Sequence, residues 1–118
     1  EALAVAFKRV KNLARELTRE PVAVLDRLTE PAEQALVQAF ESRGEAVRAA
    51  AARRQYFEAF RLMSGFRGPL DRFFTEVFVM VDDEALRDQR LSIVWRLHDL
   101  MVELADISEI VPRTELGR

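Results

Sequence analysis

Cysteine is absent from these 118 residues, and histidine occurs once. Disulfides and thiolate metal sites are therefore excluded, and a histidine-based metal site or a Ser-His-Asp triad has almost no material. Glycine and proline number four each, and none forms a phosphate-cradling loop. No apolar run approaches the roughly 18 residues that a membrane-spanning helix requires. The first apolar stretch is broken by Lys8 and Arg9, so it does not read as a secretory signal. The chain opens on Glu1 rather than Met, as expected of a piece of a longer protein. Neither a membrane nor a DNA partner is expected.

What remains is a chain that is 49% hydrophobic and 32% charged, enough for one core burying roughly two-thirds of the unfolded surface. The apolar residues recur with helical period. They run Leu3, Phe7, Val10, Leu13, Leu17; then Ala32, Leu36, Phe40; then Tyr56, Phe60, Met63; then Leu70, Phe73, Val77; and finally Leu86, Ile93, Leu97, Leu100, Leu104, Ile107. Pro31 marks a helix start, with Glu33 in the first turn. Gly44 and Gly65 read as C-terminal glycines. Pro69 opens a further helix, and Asp82 is the expected cap of the last. Val77–Val81 leans towards strand but reads better as a helix end. The spacing predicts an all-α bundle of five or six helices over residues 1–111. Pro112 then starts a short tail, 112–118.

The net charge of −2 conceals a striped chain. Residues 1–19 hold five basic and two acidic side chains, and residues 43–72 hold seven and three. Residues 20–42 hold one basic and five acidic side chains, and residues 82–109 three and eight. On the first helix, Lys8, Lys11, Asn12, Arg15 and Arg19 fall on one face, opposite the Leu3/Val10/Leu17 line. Such a face is either a ridge that meets phosphate or an ordinary solvated surface. Arg90 lies on the apolar stripe of the last helix and must be paired, because a lone buried charge is costly. Its partner is a carboxylate of another helix or a ligand at the bundle's end. Arg87 sits at the edge of that stripe. Trp95, in the company of Asp88, Asp99, Glu103 and Asp106, reads as an interface residue, and His98 as a boundary histidine. No nucleophile with a base beside it is present, so no active site is expected in this chain.

The run from Phe73-Phe74-Thr75-Glu76-Val77-Phe78-Val79-Met80-Val81-Asp82-Asp83-Glu84 to Ala85-Leu86-Arg87, continuing through Arg90-Leu91 to Ala105-Asp106-Ile107-Ser108, resembles a known family. It is similar to the C-terminal, DALR-type anticodon-binding domain of the bacterial glycyl-tRNA synthetase beta subunit. Lys8-Arg9-Val10 with Asn12-Leu13, Glu30-Pro31-Ala32-Glu33 with Ala35-Leu36, and Pro69-Leu70-Asp71 resemble the same family in order. Departures fall at Thr75, Phe78, Gly68 and Trp95, of which the first three read as packing changes. The resemblance implies an all-α bundle that helps its enzyme recognise glycine tRNA in the bacterial cytoplasm. It also implies partners in the remainder of the beta subunit and in a separate alpha subunit, where ATP and Mg²⁺ serve glycine activation. The chain itself carries no cofactor in this reading.

Unstacked anticodon bases are read by stacking and by hydrogen bonds to their pairing edges. Glycine codons begin with GG, so the discriminating bases are two cytosines, to which Arg or Asn can donate. The expected contacts are Lys8, Arg9, Lys11 and Arg15 to phosphate and Asn12 to a base. Arg67, before Gly68-Pro69, is expected in a loop, and Arg87 is a further expected contact. The alternative is a helical interaction module that docks on other synthetase domains or on the alpha subunit through the acidic last helix and Trp95.

Overall fold

The structure, a computed structural model, describes the backbone of residues 2–110 and the side chains of residues 5–104. Within it the chain forms five helices: α1 (Ala2–Ala14), α2 (Pro31–Ala52), α3 (Tyr56–Ser64), α4 (Arg67–Glu76) and α5 (Glu84–Ile110). The all-α expectation holds. The expected positions of Leu3, Asp106, Ile107, Pro112 and the 112–118 tail lie outside the described side chains or residues.

α5 is the centre of the bundle. Six consecutive residues, Gln89 to Val94, are buried, so this stretch of the helix is covered on all sides rather than along one stripe. α1 and α2 both pack against it, while α2 also carries α3 and α4, and α1 touches α4. The fully buried side chains Val10, Leu28, Leu36, Phe66, Leu70, Phe73, Ile93 and Leu97 belong to one core cluster.

Pro31 does open α2, and Glu33 closes its N-terminus by accepting the backbone N–H of Glu30 at 2.9 Å. Gly44 does not end α2, which runs on to Ala52. It is buried within the helix, where an added Cβ would lie 3.6 Å from the ring of Phe40. The helix instead ends in a Schellman arrangement. Gln55 N–H reaches Ala50 O at 2.8 Å and Arg54 N–H reaches Ala51 O at 3.0 Å. Arg54 occupies the left-handed position with φ 61°, the place glycine usually takes.

Gly65 caps α3 as expected, but with right-handed φ. A Cβ there would meet the Arg43 guanidinium at 2.3 Å, the far end of a flexible side chain that can move aside. α4 begins at Arg67, two residues before Pro69, so Arg67-Gly68-Pro69 is the first turn of a helix and not a loop. Val77 is extended and ends α4. Residues 77–83 therefore link two helices instead of ending one, with Val77 and Val79 buried and Phe78 and Met80 turned outward. α5 is capped one residue later than expected, by Asp83, whose Oδ1 accepts the Leu86 N–H at 3.3 Å.

Residues 15–30 connect α1 to α2 without regular structure. So long an irregular segment needs outside partners for its backbone, and α5 supplies them. Ser92 Oγ accepts the Val22 N–H at 2.8 Å, and Gln89 Oε1 accepts the Arg27 N–H at 2.8 Å. Gln89 Nε2 donates to Asp26 at 2.7 Å, and Arg96 donates to the carbonyls of Val22 and Ala23 at 2.9 and 2.8 Å.

Candidate nucleic-acid interface

Most of the acidic residues of the last helix are committed within the fold. Arg19 reaches Glu84 at 2.6 Å and Asp88 at 3.4 Å. Arg27 pairs bidentately with Asp83 at 2.6 and 3.1 Å. That guanidinium holds the Asp83 carboxyl below its ordinary range, the Leu86 N–H adding to the effect. Arg48 reaches Glu103 at 2.9 Å and Asp99 at 3.8 Å, and the hydrogen bond to Glu103 raises the Arg48 pKa further. Arg90 pairs with Glu33, which is fully buried, and donates to the Phe78 carbonyl at 2.7 Å. A carboxylate of another helix is thus its partner, as the apolar stripe demands.

Trp95 is half-buried against the core cluster, so its indole is largely covered by its own chain. Its acidic company is taken up by Arg19 and Arg48, Asp106 lying outside the described side chains. The acidic stripe expected to offer a docking face is engaged, over its described residues, in surface ion pairs with arginines of the same chain. Thr75, Gly68 and Phe78, expected to be packing changes, are all exposed; Phe78 keeps 73% of its surface.

The basic stripe of α1 behaves oppositely. Lys8, Lys11, Asn12 and Arg15 are exposed, and among the described residues none has an ion-pair partner. Val10 behind them is fully buried, with Ala6 and Ala14 on the same side, which fixes which side of α1 faces out. Arg15 stands just past Ala14, in a turn that continues the helix through Glu16 N–H to Leu13 O at 2.9 Å. Arg19 leaves the ridge, since the chain has turned back to α5 by then.

Arg9 lies over the ring of Phe74, 4.3 Å from its centroid, and Phe74 meets Phe73 edge-on at 5.7 Å. This cation–π contact rests the guanidinium against the ring, and among the described residues no carboxylate engages it. Arg67 is exposed and reaches Asp71 at 3.8 Å. Arg87 is half-buried and donates to the Val81 carbonyl at 3.2 Å, with Glu84 at 3.7 Å. The structure thus brings Lys8, Lys11, Asn12 and Arg15 onto one open surface with Arg9 beside it. It sets Arg67 and Arg87 apart, each with a local partner.

Residues 3–115 match the model of the DALR anticodon binding domain. The chain belongs to that family. Over 110 residues, 92% of its length, it is 44% identical to the glycine–tRNA ligase beta subunit of Vibrio cholerae. The corresponding proteins of Vibrio atlanticus and Vibrio campbellii are 43% and 42% identical over the same span. The chain covers 16% of the length of each of these relatives. No solved structure matches it. In this DALR domain, no three His, Asp or Glu side chains among the described residues stand close enough to hold a metal ion. No helix among them is long and apolar enough to cross a membrane.

Proposed function

We propose that this DALR domain binds glycine tRNA in the anticodon region, as part of a bacterial, cytoplasmic glycine–tRNA ligase. One observation carries the reading: among the described residues, the acids of α5 are each matched by an arginine of the fold, whereas Lys8, Lys11 and Arg15 have no carboxylate partner. Cations with no carboxylate partner are available to replace the counterions of phosphate. Lys8, Lys11 and Arg15 meet the RNA backbone, and Arg9, resting over the Phe74 ring, presents its donors beside them. Asn12, on the same face, offers an amide to a base edge. Arg67 and Arg87 contribute less, because Asp71 and the Val81 carbonyl already engage them.

The domain contributes binding and orientation, and the chemistry lies elsewhere. Glycine activation with ATP and Mg²⁺ belongs to the alpha subunit with which the parent beta chain assembles. The test is filter binding of glycine tRNA and of a transcript with a swapped anticodon, across a salt series. Lys8→Ala with Arg15→Ala weakens binding and makes log K less steep in log salt by about two. Parental affinity of the double variant at every salt concentration removes α1 from the interface.

The second reading is docking on other synthetase domains or on the alpha subunit. Its support moves from Trp95 to Phe78 and Met80, which the connection 77–83 holds outward at 73% and 41% exposure.

A further inference from the structure

The corner between α2 and α3 carries four side chains that the α1 reading does not use. Arg53 and Arg54 end α2, both exposed and, among the described residues, without a carboxylate partner. Phe57 and Phe60 follow on α3, three residues apart and so on neighbouring positions of one helix face. They keep 57% and 45% of their surface exposed, although Tyr56, Ala59 and Met63 of the same helix are buried. An open hollow lies between Arg54 and Phe57, lined by these two with Gln55, Tyr56 and Glu58, and Arg53 and Phe60 flank it in sequence. Glu58, the one acid there, is turned to Arg61 on its own helix at 2.6 Å, so the hollow keeps its basic character.

Arg54 adds an independent observation. It holds a left-handed backbone at φ 61°, where glycine would relieve the helix end and where a long cation brings no stabilising partner. Strain of this kind gathers where a side chain serves a ligand. Flat aromatic faces beside unpaired guanidinium groups suit an unpaired nucleotide, whose base stacks while its phosphate meets the cations.

We propose that this corner is a second RNA-contacting site, taking an unpaired nucleotide of the bound tRNA: Phe57 stacks on the base, and Arg53 and Arg54 engage the flanking phosphates. The inference rests on the reading of this chain as a tRNA-binding domain but uses none of the α1 residues. Phe60 extends the aromatic surface on the next turn of α3.

The test is binding of a glycine tRNA transcript to the parent chain and to substituted chains across a salt series, with circular dichroism to check folding. Phe57→Ala and Phe57→Leu weaken binding about tenfold with the salt slope unchanged, and Phe57→Trp retains it. Loss in the leucine variant separates stacking from plain apolar contact. Arg53→Gln with Arg54→Gln makes the salt slope shallower by about two. If the Phe57 and Arg53/Arg54 variants bind like the parent while Lys8→Ala with Arg15→Ala weakens binding, the corner is not a site and the α1 reading stands. If the parent chain itself fails to bind the transcript, both readings fall together.

Discussion

At Glu33 a single carboxylate serves two structures. One oxygen accepts the Glu30 N–H that opens α2, and the other meets Arg90 from the centre of α5. Both side chains are buried, so removing one leaves a charge that water cannot reach. Arg90→Met is expected to lower stability in urea unfolding by about 3–5 kcal/mol. Adding Glu33→Met restores much of that loss but not the α2 cap, about 1 kcal/mol. Arg54 makes the reverse case. Arg54→Gly relieves the left-handed backbone and is expected to raise stability by about 1 kcal/mol. If the α2–α3 corner holds RNA, the same substitution weakens tRNA binding, so the two measurements move in opposite directions.

Among the elements, α5 shows where sequence patterns stop informing. Helical period was legible in all five helices, and so was the need for a partner at Arg90. The role of Gln89, Ser92 and Arg96 was not, because they answer groups 62 to 74 positions away. Gln89 and Ser92 hold backbone amides of the 15–30 connection, and periodicity contains nothing about such partners. Gly44 misled for a different reason: a buried position against Phe40 tolerates glycine inside a helix, so the residue type alone did not mark an end.

The Asp83 cap gives this element a pH dependence. Its carboxyl lies below the ordinary 3.8 because of Arg27 and the Leu86 N–H. A depressed carboxyl contributes stability above the unfolded value and loses it as pH falls through the folded one. Thermal unfolding of Asp83→Asn is therefore expected to fall less steeply than the parent's below about pH 4, while the two converge in strong acid.

For the whole molecule, charge is decided by pairing more than by sum. Arg19, Arg27 and Arg48 pair with Asp83, Glu84, Asp88, Asp99 and Glu103, which leaves Lys8, Arg9, Lys11, Arg15, Arg53 and Arg54, among the described residues, as exposed cations without carboxylate partners. The α1 ridge was legible in the sequence as a face without acids. The α2–α3 corner was not, because helical period put Phe60 on the apolar line, whereas the fold leaves it and Phe57 exposed beside Arg54. Raising salt weakens surface pairs such as Arg48–Glu103. Stability and tRNA affinity are both expected to fall from low to moderate salt, affinity much the more steeply, as paired titrations in calorimetry and filter binding can establish.

The helix that supplies the centre of the bundle is also the last of the five described helices to be synthesised. While residues 1–83 leave the ribosome, α1 and α2 have no α5 to cover, and the connection between them has none of the side chains that bind its amides. Local helices can form at that stage, but cooperative folding must wait until α5 has cleared the exit tunnel. A chain ending at residue 83 is accordingly expected to show helical circular dichroism without a sharp unfolding transition. Its exposed Phe66, Leu70 and Phe73 make it a substrate for chaperones rather than a smaller version of the domain.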